Sequence, residues 1–288
     1  MTVKGSALPD VRRQDQQVLC RMAEQALETA LDRDRVVVKR RSLGAPSERG
    51  TWVRLSVCTA ASAARRGGLE ATAALPEAVA APRWLQSRAW REGELLWRVE
   101  ETEQVTTPVL QSGGVLTCDP GLSSEWWQRL HASLQALATV DIARVATPHT
   151  HPISQQRITE MLAPSAPEVD ATVTEWTVAH GDLSWVNLTA PECWILDWED
   201  AGQAPRGWDA ATLWAASLAV PELADRVQDV FAADLQARTG LVCQLYQATE
   251  LLQAGPDYAG DLFAPAQAAR ERLISELTRR PRAGSGRR

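Results

Sequence analysis

The chain has 288 residues, 45% apolar and 23% charged, a globular composition with length enough for one large domain or two lobes. Its net charge is −6, but the last ten residues hold five Arg and no acid, which leaves the first 278 residues at −11. An acidic body disfavours nucleic acid and suits a cationic or neutral ligand, and the basic end at 280–288 is expected to be a disordered tail. Five scattered Cys without a CxxC pair or a Cys/His cluster indicate neither a disulfide framework nor a zinc site, and reduced thiols fit a cytoplasmic setting. MTVKGSALPD carries no apolar signal core, and no apolar run approaches eighteen residues, so no membrane span is expected.

In chain order, Asp10 is placed to cap a helix whose apolar positions Leu19, Met22, Ala23, Ala26, Leu27, Ala30 and Leu31 recur at three- and four-residue steps. Val36 to Lys39 reads as a β-branched strand ending on a cation, and Thr51 to Val57 as a second strand containing Arg54. SLGAPSERG, Ser42 to Gly50, reads as the long turn between them. Residues 59–80 are Ala-rich at helical spacing and contain Glu70, and Pro82 ends that unit. Short strands follow, with Leu95 to Val99 the clearest. The acidic run Glu100 to Gln104 is a hinge candidate, dividing a strand-rich part, 1–104, from a helix-rich part, 105–279.

Ser123 or Ser124 caps a helix with Trp126, Trp127, Leu130, Leu134 and Leu137 on its apolar face. A short helix over 153–163 and a loop over 164–170 precede a strand-like run, Thr172 to Ala179. Helices are expected from Asp209, from Pro221, and over about 241–254 and 265–279. Most of the twelve Trp are expected as bulky core residues.

Between these parts lies HGDLSWVNLTAPECWILDWE, His180 to Glu199. Asn187 follows Asp182 by five residues, and the apolar triplet Trp194-Ile195-Leu196 ends on Asp197, as a buried strand delivering an acid to a site would. Asp182, Asn187 and Asp197 can converge as one base and two oxygen ligands for Mg²⁺, a hard cation that shares its shell with substrate phosphates. A metallohydrolase using His180, Asp182 and Asp197 is another reading, weakened because no second His lies nearby.

HGDLSWVN, then ILDWE, then GQAPRGWDAATLW resembles the aminoglycoside phosphotransferase and choline kinase group, within the protein-kinase-like fold. The resemblance is firm over about 176–218 and topological elsewhere. It implies an α+β, two-lobed protein-kinase-like fold, with a small antiparallel-sheet N-lobe that binds nucleotide and a larger, mainly helical C-lobe. The implied activity is transfer of the γ-phosphate of ATP, with Mg²⁺, to a hydroxyl of a small acceptor. Asp182 would be the base, and Asn187 and Asp197 the metal ligands. His180 and Asp209 would support the catalytic loop.

A kinase-like lobe also needs a cation for the nucleotide phosphates, paired with a helix carboxylate. VVVK makes Lys39 one candidate; Arg54, sixteen residues before Glu70, is the other, with Glu70 as partner. No GxGxxG precedes Val36, and SLGAPSERG is the segment available to cover the phosphates. That departure motivates an alternative, a kinase-like pseudoenzyme that binds a nucleotide or a partner without turnover.

Overall fold

The first helix, Gln16–Leu27 (α1), is capped by Asp15, whose carboxylate accepts the N–H groups of Gln17 and Val18. Asp10 instead caps the single 3₁₀ turn Val11–Arg13, because Ser/Asp caps act on whichever N–H groups lie two or three residues ahead. Glu28 ends α1 in a left-handed conformation, so Ala30 and Leu31 lie beyond it. The structure is a computed structural model that describes residues 8–59, 73, 75–148 and 151–279. Glu70, most of the Ala-rich segment and the basic end at 280–288 lie outside the described residues.

The chain divides into two units, one of Met1–Ala74 with Ala81–Thr106 and one of Leu75–Ala80 with Thr107–Arg288. The first holds an antiparallel five-stranded sheet of Val37–Val38 (β1), Ser42–Pro46 (β2), Thr51–Thr59 (β3), Trp84–Glu92 (β4) and Leu95–Glu103 (β5), in the order β1-β2-β3-β5-β4. Ser42 to Gly50 is therefore not one long turn. Its first five residues are a fully buried strand, paired on both sides, and only 47–50 turn. Nor is Glu100 to Gln104 a break in the sheet. Glu100 to Glu103 complete β5, where Thr51 Oγ1 and Gln86 Nε2 each donate to Glu101 at 2.6 Å. Periodicity misread both segments because small and acidic residues are poor strand formers, and neighbouring strands override that preference.

Alternation along β3 sends Val53, Leu55 and Val57 to one face. There they join Leu43, Ala45, Trp97 and Val99, and α1 covers them with Leu19, Cys20, Ala23 and Leu27. Each Val and Leu among them contributes roughly 1.5–3 kcal/mol of burial. Trp52, Arg54 and Ser56 occupy the opposite face.

The second unit is helical around one two-stranded ladder. Ser123 caps Ser124–Ala138 (α2), which buries Trp126, Trp127, Leu130 and Leu137. Gln155–Leu162 (α3) follows. Trp176–Ala179 (β6) pairs antiparallel with Gly202–Pro205 (β7), and β6 begins four residues later than the sequence run. Then come Trp208–Ala216 (α4), Pro221–Val230 (α5), Ala232–Leu235 (α6), Arg238–Ala254 (α7), Pro256–Ala259 (α8) and Phe263–Arg279 (α9). α7 is buried on most sides, through Leu241, Val242, Cys243, Leu245, Tyr246 and Ala248. Residues 180–201 leave the ladder at Ala179 and re-enter it at Gly202, so both ends of the site stretch are pinned by backbone pairing. Among the described residues no helix is long and apolar enough to cross a membrane.

Candidate active site

His180 is fully buried at the end of β6. Its Nε2 lies 2.8 Å from the Leu196 carbonyl oxygen, and its Nδ1 accepts the Asp182 N–H at 3.3 Å. The two contacts together require the Nε2–H tautomer. The ring also meets Trp198 edge-on at 4.8 Å. The imidazole thus fastens the start of the loop to the apolar triplet and stands as internal scaffolding, with both nitrogens engaged.

Asp209, 6% exposed at the start of α4, accepts the His180 N–H at 2.7 Å and the Gly181 N–H at 2.9 Å. Burial pushes its pKa up, against the pull of those two donors. Trp208 adds an indole N–H to the Gly181 carbonyl at 3.1 Å. Gly181 itself has φ 92°, and a Cβ there would lie 2.7 Å from the Asp200 carbonyl oxygen, so only glycine fits.

The loop then makes one 3₁₀ turn, Trp185–Asn187. Trp185 anchors it in the core, its indole donating to Ser217 at 3.0 Å and stacking on Trp126 at 6.3 Å. The anchor brings Asn187 back to Asp182. Asn187 Nδ2 donates to the Asp182 carbonyl at 2.8 Å and lies 3.5 Å from the Asp182 carboxylate. That commitment of the amide nitrogen turns Oδ1 the other way, as an oxygen donor. Leu196 N–H donates to the Asn187 carbonyl at 2.8 Å, and Leu188 bridges Ile195. The apolar triplet is therefore an extended segment held against the loop by single bridges rather than a strand of a sheet. Asp197 follows it in a left-handed conformation, φ 63° and ψ 58°, which redirects the chain into the 3₁₀ turn Trp198–Asp200. A non-glycine residue held there carries strain, a feature concentrated at ligand-binding sites.

Asp182, Asn187, His180 and Asp209 are thus tied into one hydrogen-bonded assembly within the second unit, and Asp197 follows Leu196, whose carbonyl oxygen lies against His180. Asn187 Oδ1 and the Asp197 carboxylate offer oxygen, the donor chemistry of a hard cation. Among the described residues no three His, Cys, Asp or Glu side chains cluster as a metal site.

Asp200 went unremarked in the sequence. Its carboxylate accepts Thr147 Oγ1 at 3.0 Å, and burial, reinforced by Glu199, pushes its pKa up to about 6. Ser217, Thr147 and Arg144 were equally invisible, since their partners lie 32 to 57 residues away and no local pattern announces them.

In the first unit, Lys39 is exposed in the turn 39–41 between β1 and β2. Arg54 lies in the middle of β3, half-buried, opposite Gly44 on β2 and Glu100 on β5. Trp52, on the same face, lies over Gly44, where a Cβ would come within 2.5 Å of its indole.

Neither a protein-family model nor a curated protein sequence matches the chain. Solved structures do. The amicoumacin kinase hAmiN, in complex with AMP-PNP, Ca²⁺ and Ami, superposes with a TM-score of 0.58 at 11% identity, over 92% of this chain and 95% of that one. The apo form of a thermostable mutant of aminoglycoside phosphotransferase APH(4)-Ia gives 0.59 at 12%, over 93% and 100%. The GDP complex of wild-type aminoglycoside 2'-phosphotransferase-IIIa gives 0.52 at 13%, over 91% and 99%. The chain has the α+β, protein-kinase-like fold of these phosphotransferases.

Proposed function

We propose that the protein is a small-molecule phosphotransferase that moves the γ-phosphate of ATP to a hydroxyl group of its acceptor. The observation that carries this reading is the Asp182–Asn187 pairing. One carboxylate and one amide are held 3.5 Å apart on a loop fastened at Leu196, one residue before Asp197. The solved structures that share the fold include an amicoumacin kinase and aminoglycoside phosphotransferases, one of them bound to a nucleotide analogue and a divalent cation.

In this reading Asp182 orients the acceptor hydroxyl and takes its proton as the oxygen attacks phosphorus. Asn187 Oδ1 and Asp197 would hold Mg²⁺, which when bound supplies neutralisation of phosphate charge. Phosphoryl transfer needs little more than this positioning and charge compensation. His180 and Asp209 hold the loop's backbone and do not meet substrate. For the phosphates, Arg54 is the better-supported cation. It shares a strand face with Trp52, which offers a flat surface to a base, and a guanidinium matches phosphate geometry. Lys39 would contribute from the turn, and Glu70 as Arg54's partner stays a proposal from the sequence. The acidic body suits a cationic acceptor, and reduced thiols a cytoplasmic location.

The test is ADP release from ATP and Mg²⁺ against a panel of hydroxyl-bearing acceptors, aminoglycosides and choline among them. Asp182→Ala is expected to lower turnover by roughly 10²–10⁴-fold, the worth of a positioned base, with an unchanged melting temperature. Full turnover in that variant refutes the assignment of Asp182. The second reading, a nucleotide-binding module without turnover, draws on the lack of a GxGxxG segment before Val36. It is favoured by Mg²⁺-dependent stabilisation with ATP and no release of ADP from ATP with any acceptor.

A further inference from the structure

The segment Asp197–Ala201 makes one 3₁₀ turn and belongs to neither strand of the ladder, so its carbonyl groups need partners from elsewhere. They find them on a short strap, residues 144–147, that runs beside β7. Arg144 Nη2 donates to the Glu199 carbonyl at 2.8 Å, and Nη1 donates to the Ala201 carbonyl. The Asp200 carbonyl between them accepts the Thr147 N–H at 3.0 Å. The strap is itself registered by Gln203, whose N–H donates to the Arg144 carbonyl at 2.7 Å and whose carbonyl accepts the Ala146 N–H at 3.0 Å. Thr147 Oγ1 sits between Arg144 Nη2, at 2.8 Å, and the Asp200 carboxylate, at 3.0 Å.

Backbone also lies directly against backbone here. A Cβ on Gly202 would fall 2.6 Å from Ala146 N and 2.7 Å from the Arg144 carbonyl oxygen. A Cβ on Gly181 would fall 2.7 Å from the Asp200 carbonyl oxygen and 3.4 Å from the Ala146 Cβ. The loop bearing Asp182, the segment opened by Asp197 and the strap are therefore stacked without slack. A planar guanidinium with five donors in a fixed fork can hold two carbonyls and a hydroxyl at once, which an ammonium on a flexible stem cannot.

We infer that Arg144 is a positioning residue for the phosphate–metal subsite, fixing Asp197 relative to Asp182 by clamping the carbonyls of Glu199 and Ala201. The inference rests on the phosphotransferase reading. Partners of this kind commonly tune metal affinity by about 10–100-fold.

The test uses the full-length protein, with Mn²⁺ as the probe and ADP as the nucleotide. Free Mn²⁺ is followed by electron paramagnetic resonance, and metal-free ADP binding by calorimetry. Arg144→Met is expected to weaken Mn²⁺ binding in the presence of ADP by about 10–100-fold, while metal-free ADP affinity stays within about twofold, the split that a residue serving the metal alone requires. Arg144→Lys should fall between. Thr147→Val, which keeps the backbone bond and loses only the hydroxyl bridge, should weaken Mn²⁺ binding less than Arg144→Met does, and serves alone if that variant does not fold. A folded Arg144→Met, or in its place Thr147→Val, with wild-type Mn²⁺ affinity overturns the inference and leaves the phosphotransferase reading standing. A wild-type protein that binds neither ADP nor Mn²⁺ overturns both.

Discussion

Asp209→Asn separates the two duties of the carboxylate at the start of α4. The side chain keeps its size, but one oxygen becomes an NH₂ group. Asp209 accepts two backbone donors, His180 N–H at 2.7 Å and Gly181 N–H at 2.9 Å, in a site only 6% exposed. An amide can accept one of them; the other N–H then faces a donor. Losing a hydrogen bond to a charged acceptor costs about 1.5–3 kcal/mol, and leaving a buried donor unsatisfied about 1–3 kcal/mol. Part is offset because the amide brings no charge into the interior, and burial already opposes ionisation of Asp209. The expected net loss is about 2–4 kcal/mol, within the stability of an ordinary domain. Gly181 directly precedes Asp182, so the unsatisfied N–H moves the loop that carries the proposed base. A misplacement of about 1 Å can cost roughly 10²-fold in rate. Urea denaturation followed by circular dichroism measures the first effect and ADP release the second. If the Asp209→Asn variant keeps both stability and turnover at wild-type values, the carboxylate is not the brace of the catalytic loop.

Two further substitutions probe the same assembly. Gly181→Ala forces a side chain into φ 92° with its Cβ 2.7 Å from the Asp200 carbonyl oxygen. Backbone strain of about 1–3 kcal/mol and overpacking of about 1–3 kcal/mol predict a combined loss of roughly 2–6 kcal/mol, and a urea midpoint equal to wild type would show that the loop has room the structure denies. Asp200→Asn tests the pH dependence that burial imposes. The folded carboxylate titrates near about 6, above its ordinary 3.8, so the folded state takes up its proton first as pH falls and gives up stability as pH rises through that range. The amide keeps an oxygen for Thr147 without the charge. Its melting temperature should therefore match wild type near pH 4, rise above it through pH 6 and hold that advantage at pH 8; a pH-independent difference would mean that the buried charge is not its cause.

The sequence by itself singled out the stretch proposed to carry the reaction. His180, Gly181, Asp182 and Asn187 lie within eight residues, so bringing them together needs only a tight loop. The same locality made α1, α2 and the strands around Arg54 legible, because amphipathic spacing is written along the chain. Where neighbours outvote local preference, the reading failed. Ser42 to Pro46 looked like a turn and is a buried strand because β1 and β3 flank it, and Glu100 to Glu103, read as part of a hinge, are paired along β3, with the first unit ending shortly after them at Thr106. The resemblance pointed to His180 and Asp209 as supports of the loop; tertiary structure alone decided the other groups that hold it in place. Asp209 reaches back 28 and 29 residues, Ser217 reaches 32, and Arg144 reaches forward 55 and 57. Each satisfies a backbone or indole group that folding takes out of water. Such a need exists only once the fold has buried it, so no spacing rule in the chain could have named Ser217 or Arg144.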